Sequence, residues 1–348
     1  MHPFVRANGG VQVIAHRGAS ALRPEHTIAA YLKAIEDGAD FIEPDLVMTR
    51  DGVLVARHEC ELSRSTDVAS HAEFAGRRTC KSIDGERLEG WFCEDFSFEE
   101  LRRLRAREPL PELRGRAHDG MHVIPAFDEI VALLERKSKD LRRTVGIIPE
   151  LKNSTHHRSI GLDLERALET ATQHHALLRR VPFGIQSFEV SNLSALRDTL
   201  CASHRNIFLV QLIGEADAQP FDRRVAGDTR HDYAGMTTAR GLAVIARYAH
   251  AVAVQRRSIV PLDAVSGSLA GATALVADAH AAGLAVQAWT VRPENHFLAP
   301  ALRCGTKPAT RCESGMREEI HALVSAGVDG IFVDDPALGR QAVDGLSR

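Results

Sequence analysis

The sequence predicts an α/β fold, a TIM (β/α)8 barrel with an inserted cap segment after the second strand. Three observations carry that prediction. Eight short apolar runs read as strands, and helix-patterned segments separate most of them. Alternating strand and helix argues a parallel sheet, and eight units in one chain argue its closure into a barrel. The chemistry-bearing residues also fall at the ends of apolar runs, where a parallel barrel gathers its site. A length of 348 residues suits one barrel with insertions, so a single domain spanning residues 1–348 is expected.

The first strand is Val11–Ala15, followed directly by His16-Arg17-Gly18. The first helix is Thr27–Asp37. Its Ile28, Tyr31, Leu32 and Ile35 recur at helical spacing, and Gly38 sits where a helix would stop. The second strand, Phe41–Val47, holds Glu43 and Asp45 with Pro44 between them. Proline lacks a ladder donor, so a local bulge is expected there. The turn Arg50-Asp51-Gly52 then sets up the run Val53–Arg57, which His58 closes.

From Cys60 to His122 no clear strand is legible, and the stretch is charged, with one short helical piece at Phe98–Leu104. A segment this long is usually functional or an insertion with its own structure. Residues 60–122 are therefore read as a cap over the active-site face. Asp67 and Trp91 are candidate pocket residues within it, with surface or local-core roles as their simpler reading.

The alternation resumes with the helix Phe127–Lys137 and the strand Val145–Leu151. The helix Ile160–Ala171, strand Gly184–Phe188, helix Val190–Leu200 and strand Ile207–Leu212 follow. After the polar loop Gly214–Met236 come the helix Thr238–Tyr248, the strand Ala251–Val254 and the helix Ala272–Ala282, which Gly283 closes. The strand Leu284–Thr290, the polar loop Arg292–Met316 and the helix Arg317–Ala326, closed by Gly327, lead to the last strand, Gly330–Val333.

Bulk composition excludes several classes. The net charge of −3 gives no field that favours nucleic acid or an anionic membrane surface. Aromatic residues are 5% of the chain, too few for a base-stacking platform. No run approaches the ~20 apolar residues of an integral membrane segment. The opening MHPFVRANGG leaves no room for a signal peptide, so the chain as written is expected to be cytoplasmic, or periplasmic or secreted if a signal was removed. The six cysteines form no C-x-x-C pair, which argues against zinc. Cys304 and Cys312 bracket one polar loop and could close a small ring, but six cysteines in 348 residues read more simply as reduced thiols. Oligomeric state is not legible.

The candidate chemistry concentrates between Val13 and Glu59. Residues i and i+2 of a strand point to one face, about 6.5–7 Å apart along it. Glu43 and Asp45 therefore share the inner face of a barrel strand, and two buried bare charges are very costly. A hard divalent cation resolves the conflict, because Ca²⁺ and Mg²⁺ prefer carboxylate oxygen. Arg17 can fork two donors onto a phosphate, and Gly18 permits a strained turn. His16 and His58 lack metal-ligand spacing, so they read as proton carriers.

Taken together, these motifs resemble the glycerophosphodiester phosphodiesterase family, in particular its longer, bacterial secreted-type members. The family opens with His-Arg-Gly, then Pro-Glu-Asn-Thr, then a strand with Glu-x-Asp and a histidine after an apolar strand. This chain has His16-Arg17-Gly18, Pro24-Glu25-His26-Thr27, Glu43-Pro44-Asp45 and His58-Glu59. A strand with Glu-x-Lys follows as Ile147–Lys152, and Gln186-Ser187-Phe188 and Gly330–Asp334 also match. The likeness runs from about residue 11 to about residue 340. His26 stands where asparagine is commoner.

The resemblance implies Glu43, Asp45 and Glu150 as metal ligands and His16 and His58 as the acid–base pair. It implies Arg17 and Lys152 on the phosphate and Trp289 in the substrate wall, where a core role is the alternative. Gln186 is a weaker supporting candidate. For Glu25 and His26, capping of the first helix and catalysis both stay open. One divalent cation is expected, Ca²⁺ first and Mg²⁺ second. The expected substrate is a small glycerophosphodiester, cleaved to glycerol 3-phosphate and an alcohol with attack by the substrate's own glycerol hydroxyl. A lipid phosphodiesterase of the lysophospholipase D or sphingomyelinase D type ranks second. A non-catalytic phosphate binder ranks third, because a decayed site would usually have lost one of these residues.

Overall fold

The computed structural model describes residues 10–228 and 232–346. The leader reading rests on residues 1–9 and so lies almost wholly outside the described residues. The strands are β1 (Gln12–His16), β2 (Phe41–Glu43), β3 (Asp45–Met48), β4 (Leu54–Ala56), β5 (Thr79–Ile83), β6 (Glu86–Gly90), β7 (Gly146–Ile147), β8 (Glu150–Leu151), β9 (Phe183–Ser187), β10 (Ile207–Leu212), β11 (Ala251–Gln255), β12 (Ala285–Val291) and β13 (Gly330–Val333). β1, β2/β3, β7/β8 and β9–β13 form eight parallel positions, closed by the β1–β13 and β9–β10 pairings. The sequence thus placed every barrel strand, with ends moved by a residue or so.

Two positions are split where proline falls. Pro44 separates β2 from β3, and Pro149 lies in the gap between β7 and β8. The missing N–H interrupts each ladder. The outer pieces then pair with each other: Asp45 lies opposite Glu150, and Glu150 opposite Gln186. That register brings acids from two strands to one level at the carboxyl end of the barrel.

The run Val53–Arg57 is not a barrel strand. Its β4 returns antiparallel to β3 and ends just before His58. The helix Ile28–Glu36 is capped by Thr27, whose Oγ1 accepts from Ala30 N at 3.1 Å, and Gly38 follows at φ +91°. The helix predicted at Ile160–Ala171 runs instead over Leu164–His174, with Asp163 as its cap. A short helix, Ser154–Ser159, precedes it, and the helix predicted at Arg317–Ala326 begins earlier, at Glu313. The closing helix Pro336–Leu346 was not anticipated, because Gly339 and Gly345 dilute its pattern. Gly339 has a packing reason, since a Cβ there would lie 3.1–3.2 Å from Val333 and Val13.

The segment 60–122 departs from the strandless reading. β5 and β6 form an antiparallel hairpin turned by Asp84-Gly85, at φ +50° and +86°. Asp-Gly with both residues left-handed is a favoured two-residue hairpin turn. Its strands are mostly exposed and polar, which hid the alternation. Beneath it Leu62, Phe74, Trp91, Phe92, Phe96, Leu101 and Leu104 make a separate apolar cluster seated on Val47 and Val55 of the β3–β4 hairpin. Trp91 belongs to this cluster, and Asp67 accepts from Arg105 N, so both take local structural roles.

Inside the barrel, Ile14, Phe41, Ile148, Phe208, Val210, Leu212 and Phe332 pack as an inner cluster distinct from the strand–helix layer. Glycines make room for its rings. A Cβ on Gly146 would meet the Phe41 ring at 2.3 Å, and one on Gly184 would meet Ile148 and Phe208 at 2.7 Å. Gly184→Ala should therefore cost about 1–3 kcal/mol through overpacking. A lower urea midpoint at constant slope is the expected result, and an unchanged midpoint would mean the interior has slack.

Candidate active site

The oxygens of Glu43, Asp45 and Glu150 come within 4.8 Å of one another, and all three residues are buried. Glu43 accepts from Arg17 N at 2.8 Å and from Gln186 Nε2 at 2.8 Å. Asp45 accepts from His26 Nε2 at 2.9 Å and faces Arg17 Nε at 3.3 Å and Lys152 Nζ at 3.9 Å. Glu150 pairs with Lys152 Nζ at 2.9 Å. Burial, then the charges of Asp45 and Glu150, push the Glu43 carboxyl well above its ordinary range. Burial pushes Glu150 up to about 8, with Asp45 adding to the rise and Lys152 opposing it. Asp45 is held well below its ordinary range against burial, by Lys152 and the hydrogen bond from His26. Three buried carboxyl groups this close repel one another in their charged forms, a conflict that added positive charge would relieve. This oxygen-only donor set fits a hard divalent cation, Ca²⁺ or Mg²⁺.

The backbone before helix Ile28–Glu36 is shaped for this cluster. Arg17, Gly18 and His26 all sit at positive φ, +59°, +87° and +56°. A Cβ on Gly18 would come 2.7 Å from Ala30, so glycine is required for the approach. The turn points the Arg17 amide at Glu43 and its Nη1 at Glu25 Oε2, 2.9 Å away. His26 is fully buried, bridging Asp45 and the Tyr31 hydroxyl at 2.8 Å. Thr27 is the helix cap, and Glu25 and His26 hydrogen-bond to Arg17 and Asp45.

His16 and His58 line one cavity together with Arg17, Glu43, Glu150, Lys152, Gln186 and Trp289. Its volume is about 380 Å³. Asp45 lies among the carboxylates but off the cavity wall. Trp289 is half-buried, with Nε1 donating to Ala253 O at 3.2 Å and its ring edge-to-face on Phe188. Each histidine has Nδ1 engaged: His16 with Asp334 Oδ1 at 2.6 Å, His58 with Glu59 Oε1 at 2.8 Å. Burial, then the Arg17 charge, lowers both imidazoles to about 4. Both imidazoles are therefore neutral at pH 7.

Asp334, which sequence reasoning placed in a motif without a role, is the partner of His16. It receives Arg114 Nη2 at 2.6 Å and Arg292 Nε at 2.8 Å, and these charges keep it ionised. Arg114 comes from the insertion and also pairs with Glu294 at 2.8 Å. The signal for Asp334 was available, since it follows a barrel strand as His16 does. A second grouping, Cys60, Glu94 and His157, is also tight enough for a metal. There His157 Nδ1 already faces Asn153 O, and Nε2 accepts from Met48 N. Cys60 Sγ and Glu94 in turn meet Asn153 Oδ1 and His156 Nε2, and these contacts tie the insertion to the barrel. Cys304 and Cys312 are joined as a disulfide, against the reduced-thiol reading, because the loop returns on itself with their Cα atoms 5.3 Å apart.

A closed parallel barrel whose carboxyl-end mouth gathers Glu43, Asp45 and Glu150 with Arg17, Lys152, His16 and His58 is of a class suited to phosphate esters. Residues 16–338 match the glycerophosphoryl diester phosphodiesterase family model, and the chain belongs to that family, whose members are phosphoric diester hydrolases. A glycerophosphodiester phosphodiesterase of Arabidopsis thaliana, GDPD6, is 32% identical, over 92% of this chain and 82% of its own. One from Haemophilus influenzae is 24% identical, over 96% of this chain and 90% of its own. Among solved structures, an Oleispira antarctica phosphodiesterase in complex with the product sn-glycerol-3-phosphate superposes with TM-score 0.56 at 19% identity. It covers 96% of this chain and 97% of its own, a likeness of fold.

Asp334→Asn keeps the shape but removes the anion that orients His16 Nδ1. It should lower kcat by about two orders of magnitude. It should also move the acid limb of the kcat/KM profile below its wild-type position near pH 4, because Asp334 opposes the lowering of His16. A pH profile of both proteins checks this, and an unshifted limb with full kcat would remove Asp334 from the mechanism.

Proposed function

We propose that this protein hydrolyses glycerophosphodiesters to sn-glycerol 3-phosphate and an alcohol, with one divalent cation held by Glu43, Asp45 and Glu150. The observation that carries the reading is the convergence of these carboxylates with Arg17, Lys152, His16 and His58 at one mouth. The cation supplies Lewis-acid chemistry there, offsetting phosphate charge and lowering the pKa of the substrate's glycerol hydroxyl. Ca²⁺ is the first choice and Mg²⁺ the second.

The chain's own groups then divide the work. Arg17 and Lys152 draw the phosphodiester anion into the cavity and stabilise charge on its oxygens. Among the described residues no activated serine or cysteine stands beside the carboxylates, so the substrate's neighbouring glycerol hydroxyl is the attacking group. Held close to phosphorus, it gains heavily from proximity. His16 takes its proton as the new oxygen–phosphorus bond forms. His58 gives a proton to the departing alcohol as the old bond breaks. A cyclic glycerol phosphate results, and water opens it with the histidines in exchanged roles. Trp289 with Phe188 forms an apolar wall for the glycerol carbons. Residues 60–122 act as a cap, a reading supported by the reach of Arg114 to Asp334.

Exhaustive chelation should abolish turnover of glycerophosphocholine, and Ca²⁺ or Mg²⁺ should restore it. Glu43→Gln, Asp45→Asn and Glu150→Gln should each remove the restored activity while circular dichroism stays native. Full activity after chelation would end the metal reading.

The nucleophile makes a separate demand. A glycerophosphocholine analogue with hydrogen in place of the adjacent hydroxyl should be a very poor substrate. Turnover of that analogue at the natural rate would point to direct attack by water.

A further inference from the structure

The cavity has a second charged wall, across from the carboxylates. Arg256 and Arg257 open a short helix, Arg256–Ile259, directly after β11, and Arg292 follows β12. All three line the cavity, with Trp289 and Thr290 beside them. In the ring of strands, β11 and β12 lie opposite the β2/β3 and β7/β8 positions that supply Glu43, Asp45 and Glu150. The guanidinium groups therefore stand across the mouth from the three carboxylates.

Buried carboxylates hold these groups from behind. Glu319 pairs with Arg256 at 2.8 Å and also with Arg257. Arg256 donates as well to Thr290 O and Phe297 O, so each of its nitrogens is engaged and it acts as scaffold. Arg257 and Arg292 are placed differently. Among the described residues Arg257 hydrogen-bonds only through Nη2, to Glu319, and Arg292 only through Nε, to Asp334 at 2.8 Å. The Arg292 guanidinium lies over the Phe297 ring, 4.4 Å from its centroid, which fixes its plane. The Arg257 and Arg292 side chains are 26% and 23% exposed, against 1% and 2% for Glu319 and Asp334, so their remaining N–H groups are on the cavity side. The carboxylates do not cancel this wall. Glu319 is shared by two guanidinium groups, and Asp334 is divided among Arg292, Arg114 and His16. Burial lowers the pKa of Arg256, and the nearby charges of Arg257 and Arg292 add to the lowering against Glu319. Glu215, an acid on the same side of the cavity, is exposed and bonded to Gln255 at 2.6 Å. Neighbouring guanidinium groups with free N–H forks are the chemistry that recognises an oxyanion, phosphate or carboxylate.

We propose that Arg257 and Arg292 form a second anion subsite in the catalytic cavity, which receives an oxyanion carried by the departing alcohol. The proposal rests on the reading that this cavity cleaves glycerophosphodiesters, and it narrows the substrate. Diesters whose alcohol bears a further phosphate or carboxylate are preferred over those of neutral alcohols. Arg17 and Lys152, on the carboxylate side, are left to the reacting phosphate. Arg257 is the cleaner reporter of the subsite, because Arg292 also touches Asp334, the partner of His16.

The test uses matched substrates on the full chain. Glycerophosphodiesters of propane-1,3-diol and pentane-1,5-diol are compared with the same esters phosphorylated at the free end of the diol. With at least one of the two linkers, kcat/KM should be about tenfold higher or more for the phosphorylated member, in keeping with one or two charge-assisted hydrogen bonds. Arg257→Gln leaves Glu319 paired with Arg256 and should lower that ratio about tenfold, and Arg257→Lys should recover part of it. A merely structural role for Arg257 would slow both members alike and leave the ratio unmoved. A ratio at or below one with both linkers would overturn the proposal, as would a ratio unchanged in Arg257→Gln. Failure to cleave any glycerophosphodiester would instead defeat the proposed function, and calorimetry would then decide the subsite. Pentane-1,5-diyl bisphosphate should bind the wild-type protein about tenfold tighter than pentyl phosphate and lose that advantage in Arg257→Gln. Equal binding of the two to the wild-type protein would overturn the proposal.

Discussion

Three carboxyl groups with oxygens within 4.8 Å of one another, all buried, form a concentration of negative charge that the rest of the mouth is arranged to balance. The balance draws on distant parts of the chain. Arg17 contributes its amide and guanidinium from the turn after β1, Lys152 an ammonium from beyond β8, and His26 an imidazole from the entry to the first helix. Gln186 contributes an amide from β9. The two proline-split strand positions exist at this level, and so do three residues at positive φ, Arg17, Gly18 and His26. Local backbone regularity yields here because a misplaced partner would leave a buried carboxylate uncompensated, at a cost of several kcal/mol.

The barrel was legible because its code is redundant. Each strand is a short run of Val, Ile, Ala, Leu or Phe, and each run is punctuated by a helix with its own apolar face, so small errors at one end do not change the topology. The residues brought to the mouth were legible for a related reason: they sit at strand ends, and HRG, E-x-D and E-x-K are compact in sequence. What the sequence concealed was of another kind. The β5–β6 hairpin is paired through its backbone while its side chains face water, so burial left no period to read, although Asp84-Gly85 marked its turn. The closing helix was masked by its glycines, of which Gly339 is explained by close contact with β1 and β13. The position of Asp334 at a strand end was legible, but its pairing with a partner 318 residues away was not.

The insertion is joined to the barrel at three kinds of place. Its apolar cluster sits on Val47 and Val55, its Glu94 meets His156, and its Arg114 reaches Asp334 and Glu294. The last of these links matters most for chemistry. Arg114 is 6% exposed, so its charge acts on Asp334 with little screening by water. The insertion and the loop carrying Glu294 thus hold the same aspartate that holds His16.

The pairing of His16 with Asp334 also bears on how the protein is made. The histidine precedes its orienting aspartate by 318 residues, and β1 gains its second neighbour only when β13 arrives. A nascent chain that already carries both histidines and all three carboxylates is still without the anion that fixes the first imidazole. Orientation of the first imidazole therefore depends on closure of the barrel, since the anion arrives on the segment that follows the strand completing the ring beside β1.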